Sequence, residues 1–133
     1  VQVRDWSGER VDAHAVSSGL VLLAFAPDPV RAAFLRGSLR AFTPRTVTER
    51  EQLEHRLDGI RSTGFAWVFE EFTEGLNSVA APVFDHTGSV VAAVHAHGPS
   101  YRFPGDRDPT EIASLVVAAA ERVTARLNGH RPD

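Results

Sequence analysis

Cysteine, methionine and lysine are all absent from this chain. Without cysteine there is no disulfide, no thiolate metal site and no cysteine nucleophile. Its fourteen cationic side chains are therefore all arginines, scattered with no cluster of five or more. With a net charge of −3 and a pI near 6.1, the chain offers no basic field to nucleic acid. No apolar run approaches the roughly 18 residues that a membrane helix needs. The opening stretch, VQVRDWSGER, lacks the apolar core of a signal peptide. Repeats and low-complexity segments are missing too. The chain begins without methionine, on strand-like residues 1–4 followed by a turn at Ser7-Gly8. It is therefore expected to be a domain of a longer protein.

What is present reads as one α+β domain. A chain of 133 residues buries roughly two thirds of the surface its unfolded form exposes. Ser17-Ser18-Gly19 precede a short apolar run over 20–25, which Pro27 stops, the pattern of a short helix. Asp28 and Pro29 then suit an N-cap and first helical residue, for a helix ending near Gly37. Over 48–62, Leu53, Leu57 and Ile60 recur at helical spacing between charges, and Gly64 closes the helix. Residues 65–69, 76–84 and 89–97 read as strands. Asp85-His86-Thr87-Gly88 joins the last two as a hairpin turn. Both hairpin strands are apolar on both faces, which predicts a sheet covered on both sides. A long helix over 108–127 opens on a capping-box pattern, Asp108-Pro109-Thr110-Glu111. Its expected apolar stripe is Ile112, Leu115, Val116, Ala119, Val123 and Leu127. The tail 129–133 is expected to fray.

The chemistry gathers on the last strand, where His95 and His97 stand two apart. In an extended chain such residues point to the same side of the sheet. With the turn at His86-Thr87, Ser78 pairs with His95, Ala80 with Ala93 and Leu76 with His97. Ser78, His95 and His97 then share a face with small alanines, and small side chains beside polar ones leave room for a ligand. A bulge would move the pairing by one and turn Ser78 to the other face.

The chain resembles the effector-binding domain of IclR-type transcriptional regulators. The matching pieces are His14-Ala15, Ser17-Ser18-Gly19 before Leu22-Leu23-Ala24, Phe42-Thr43-Pro44-Arg45-Thr46, and Ile60-Arg61-Ser62-Thr63-Gly64-Phe65. Further on come Glu70-Glu71 with Gly75, Ala80-Ala81-Pro82-Val83-Phe84-Asp85 with Gly88, and Gly98-Pro99 with Arg102. They keep the family's order from about Arg10 to Leu127. The resemblance implies a GAF-like fold, a central antiparallel sheet flanked by helices. It implies that the opening part of the domain and the DNA-binding winged helix-turn-helix are absent from this chain. It also implies a cytoplasmic regulator that forms homodimers or homotetramers, is not an enzyme and needs no cofactor. DNA would be contacted only through the absent domain. The implied effector is a small organic or aromatic acid between the sheet and a loop before a helix. Carried over by position, the ligand-binding residues are Ser17, Ser18, Gly19, Val68, Ser78, His95 and His97. Unpaired N–H groups at the helix start suit a carboxylate, and the imidazoles suit donation to a carboxylate or phenolate. Leu20 stands where many members carry lysine, and positions 95 and 97 are more often small or hydroxylated.

Other readings of the same residues belong to other classes. His-x-His on a strand holds zinc when a third ligand is near, and His14, Glu70 and Glu71 are the candidates. Ser78 beside His95 invites a hydrolase, without the turn and orienting acid a serine nucleophile needs. A purely structural oligomerisation module is the third alternative. Adjacent Glu70 and Glu71 would point to opposite faces of a strand and so not work as a carboxylate pair; the alternatives are that one binds backbone or an arginine, or that they mark a strand-end turn. One of Trp67 and Phe69 is expected under the middle helix, and Trp6 is expected to be uncovered. Arg31, Arg36 and Arg40 read as solvated, as do Arg122 and Arg126, while Ala118-Ala119-Ala120 would let a partner helix approach.

Overall fold

Three antiparallel strands form the sheet, in the order β1 (Ala66–Phe69), β2 (Leu76–Phe84), β3 (Val90–Pro99). The structure is a computed structural model describing residues 12–129. The expected strand over 1–4, the Ser7-Gly8 turn, Trp6 and the tail 130–133 lie outside the described residues. On one sheet face sit a short 3-10 turn, Ala13–Ala15, and helices α1 (Ser17–Ala24), α2 (Asp28–Leu35) and α3 (Arg50–Thr63). On the other lies α4 (Pro109–Leu127). The α+β class and the antiparallel sheet with helices on both faces are as expected.

Side-chain alternation splits the core in two. Ala66, Val68 and Ala80 point toward α1 and α3, packing with Leu20, Val21, Leu53, Leu57 and Ile60. Val79, Ala81 and Val83 point the other way, onto Ile112, Ala113, Val116 and Ala120 of α4. Gly64, at φ +86°, ends α3 in the left-handed conformation and returns its N–H to Ile60 O. Asp108 caps α4 by accepting from the Thr110 N–H at 3.0 Å.

The register departs from expectation by two residues. Ser78 pairs with His97 and Ala80 with His95. The loop is one residue longer than the assumed turn: Asp85 N–H bonds Ser89 O, leaving His86, Thr87 and Gly88 in the loop. Gly88 takes φ +84°, and the Asp85 carboxylate accepts from the N–H groups of Thr87 and Ser89. A bulge between Val83 and Phe84 then adds Val91 as a second unpaired residue. Each shifts the pairing by one, so together they restore the side-chain faces. The partners change; the shared face of Ser78, His95 and His97 does not.

Four other expectations are corrected. The sheet is not covered throughout: Val91, Ala92, His95 and His97 of β3 are exposed. β3 has no neighbour beyond it among the described residues. The buried stripe of α4 is Ile112, Ala113, Val116 and Ala120, while Leu115, Val123 and Leu127 are exposed. The sheet side chains that meet α4 lie along the 112–116–120 line, and the 115–119–123 line is rotated away from them. Trp67 packs on the α4 side rather than under α3, stacked on Phe69 at 5.1 Å and donating Nε1–H to Pro109 O at 3.0 Å. Arg31 is buried, not solvated; it bonds Asp58 at 2.6 Å and Glu54 O at 2.9 Å.

Candidate functional site

A cavity of about 160 Å³ opens between the start of α1 and the sheet. Ala15, Val16, Ser17 and Ser18 form the helix wall; Val68, Leu76, Ser78, His95 and His97 form the sheet wall; Phe72 closes one side. Six of the seven expected residues therefore line one space. An apolar cavity of roughly 150 Å³ is large enough to hold benzene, so this one suits a single small ring or a short chain.

The helix wall is built by close packing. A Cβ on Gly19 would stand 2.4 Å from Ala13 O and 2.5 Å from Ala13 Cα. Only glycine lets α1 start this close to the preceding turn. Gly19 itself is buried behind the cavity rather than in its lining, so its place is structural. The first backbone bond of α1 runs from Leu20 N–H to Val16 O, and no side chain caps the helix. The N–H groups of Ser17, Ser18 and Gly19 thus stay without intrahelical acceptors at the positive end of the dipole. Ser17 is 2% exposed, lines the cavity, and its hydroxyl makes no hydrogen bond among the described residues.

On the sheet wall the imidazoles of His95 and His97 stack, with ring centroids 5.4 Å apart and planes 25° apart. Both rings sit at the open rim of the cavity and are exposed. The protonated form of His95 is disfavoured first by partial desolvation of the ring where it meets the cavity and then by the charge of His97, so its pKa lies below the usual 6.5. Among the described residues no carboxylate pairs with either ring.

The third wall depends on a buried ion pair that sequence reasoning foresaw only in outline. After β1 the chain leaves the sheet at Glu70, whose φ of +55° starts a loop over 70–75. Glu70 and Glu71 therefore do not alternate across a strand. Glu71 is 6% exposed; its two oxygens take both terminal nitrogens of Arg56, and Oε2 also accepts the Phe69 N–H at 3.0 Å. Arg56 donates further to Trp67 O, and Glu70 accepts the Gly75 N–H at 2.8 Å. The loop is pinned, and Phe72 is held at the cavity, 5.0 Å from the Phe42 ring.

These partners remove the proposed third metal ligands from the histidine pair. Glu71 is bound to Arg56, Glu70 to Gly75 and Arg45, and His14 is buried with Nε2 against Arg40 O at 2.7 Å. Among the described residues no three His, Asp or Glu side chains are grouped to hold a metal. Ala15, Val16, Phe72 and Leu76 line the cavity unforeseen. Leu76 was readable as the same-face neighbour of Ser78, and Ala15 and Val16 as the chain entering Ser17. Phe72 sits in a loop without periodicity and gave no signal.

Comparison with known proteins gives the geometry its setting. The model of the C-terminal region of IclR bacterial transcriptional regulators matches residues 1–125. The chain belongs to the IclR family. Curated relatives include the transcriptional repressor AllR of Klebsiella pneumoniae, 34% identical over 90% of this chain and 44% of that protein. The glycerol operon regulatory protein of Streptomyces griseus is 39% identical over 89% of this chain and 46% of that protein. The chain thus spans about half the length of the curated relatives it matches. Among solved structures, an IclR homologue of Microbacterium hydrocarbonoxydans complexed with 4-hydroxybenzoate superposes with a TM-score of 0.82. It is 28% identical, over 94% of this chain and 50% of that one. No helix among the described residues is long and apolar enough to cross a membrane.

Proposed function

We propose that this chain is the effector-sensing part of a cytoplasmic transcriptional regulator, which binds a small organic or aromatic acid in the cavity under α1. The observation that carries this reading is one cavity with two unlike polar walls. Unpaired N–H groups and the buried Ser17 hydroxyl stand on the helix, and Ser78, His95 and His97 stand on the sheet. A carboxylate accepts from the first wall, Val68, Leu76 and Phe72 cover an apolar body, and the second wall meets the far end. The membership of the family and the hydroxybenzoate-bound homologue support the acid class.

Control of DNA binding then follows from differential binding. An acid that touches both α1 and the sheet stabilises the arrangement in which they are correctly spaced, and attached domains respond to that shift in population. DNA is reached through a domain outside this chain, and self-association as a homodimer or homotetramer belongs to the same reading. Titration with 4-hydroxybenzoate followed by thermal unfolding tests it. At about 100 times Kd a ligand adds roughly 2.7 kcal/mol of stability, an upward shift in Tm that a change of both His95 and His97 to alanine removes. No stabilisation by any small organic acid would favour the structural oligomerisation module instead.

A further inference from the structure

Among the described residues the histidine pair lacks what histidines at a finished polar site usually have, a carboxylate to orient and charge them. Among the described residues, α1, β2 and α4 are the elements packed most closely on β3. Neither α1 nor β2 carries an ionisable side chain, and those of α4, Glu111, Glu121, Arg122 and Arg126, belong to the helix on the far sheet face. Glu70, Glu71 and His14 are engaged elsewhere, and Glu74 lies away from the cavity, beside Thr43, Arg45 and Glu70. The rings nevertheless stack 5.4 Å apart at the cavity rim, where a ligand held at the α1 start would meet them.

We propose that His95 and His97 form a second anion subsite, so that the cavity selects a compact acid bearing a second carboxylate over the corresponding monoacid and takes up a proton as it binds. This rests on the acid-sensing reading above and specifies its ligand class. The two walls divide the charge. Neutral backbone N–H groups meet the first carboxylate with the partial charge of a helix end. The second carboxylate meets the stacked imidazole pair, where desolvation of the His95 ring, and then the neighbouring charge of His97, disfavour a proton on His95 in the free protein. An anion within hydrogen-bonding reach reverses that balance, and one proton then enters the pair. Two full charges stacked this closely repel, so one is the expected uptake. The bond formed is a charge-assisted N–H···O contact, roughly twice as strong as its neutral counterpart.

Fumarate and crotonate test the proposal. They share a rigid four-carbon frame, crotonate carries a methyl where fumarate carries its second carboxylate, and both are ionised from about pH 6 to about pH 8. Calorimetry on the purified chain should find fumarate bound at least about tenfold more tightly at pH 6. That preference should shrink toward pH 8, by up to about tenfold per pH unit while the pair is titrating. Repeating the titration in buffers of different ionisation enthalpy should show uptake approaching one proton for fumarate. A His95→Gln/His97→Gln variant should bind fumarate no better than crotonate, with an unchanged circular dichroism spectrum confirming its fold. Equal affinity for the two acids, independent of pH, would overturn the second subsite and leave the acid-sensing reading standing. Failure of both to bind at millimolar concentration, with 4-hydroxybenzoate also inert, would overturn both.

Discussion

Replacing Gly19 by alanine tests how the helix wall of the cavity is made. The added Cβ would lie 2.4, 2.5 and 2.8 Å from Ala13 O, Cα and C. Carbon contacts are comfortable only from about 3.5 Å, so α1 and the preceding turn must separate by roughly 1 Å. All three atoms are backbone, and no flexible side chain can yield. Overpacking of this kind costs up to about 3 kcal/mol, against a gain of about 1 kcal/mol from helix propensity. A net loss of about 2 kcal/mol lowers Tm by roughly 8 °C in a chain of this size. Gly59 is the internal control: it lies within α3 and its Cβ would meet nothing within 4 Å. Gly59→Ala should raise stability by about 0.5–1 kcal/mol. Thermal unfolding followed by circular dichroism reads both. If Gly19→Ala melts at or above the parent, while Gly59→Ala behaves as expected, the close approach of α1 is wrong.

Arg56→Ala leaves the buried Glu71 carboxylate unpaired and should cost about 3–5 kcal/mol, seen as a lower urea midpoint with the Phe72 loop loosened. Ser78→Leu fills the sheet wall; it should weaken 4-hydroxybenzoate binding by at least about tenfold, roughly 1.4 kcal/mol, without lowering Tm. For His95 the folded pKa is depressed below 6.5, so the unfolded chain binds more protons between the two values. Stability of the ligand-free chain should therefore rise with pH up to about 6.5 and level off above it, and His95→Gln should flatten that rise in a pH series of urea melts.

The elements were legible because their signals are local. The hairpin strand over 76–84 follows from an apolar run ending at the Asp85–Gly88 turn, and the ends of α3 and α4 follow from Gly64 and Asp108. The pairing was not legible, because a three-residue loop and a bulge depend on how Asp85 and Gly88 satisfy the turn. Their effects cancelled on the faces, so the polar trio survived a wrong register. The stripe on α4 misled for a different reason. Ile112, Leu115, Val116, Ala119 and Val123 offer two overlapping apolar lines, and only the sheet surface decides which is buried. Arg31 read as a solvent-facing charge, and the arginine that takes Glu71 could not be named, because the partners Asp58 and Arg56 come from α3, distant in sequence. The cavity itself was half visible: its residues alternate on strands or start a helix, while Phe72 is delivered by an ion pair that spacing does not encode.

A crystal structure of the chain grown with 4-hydroxybenzoate addresses the central claim most directly. The account predicts ligand density under α1, with a carboxylate oxygen about 3 Å from the N–H groups of Ser17 or Ser18 and the ring over Val68 and Leu76. Density for the acid elsewhere, with the space between Ser17 and the two imidazoles filled by protein side chains, would contradict it.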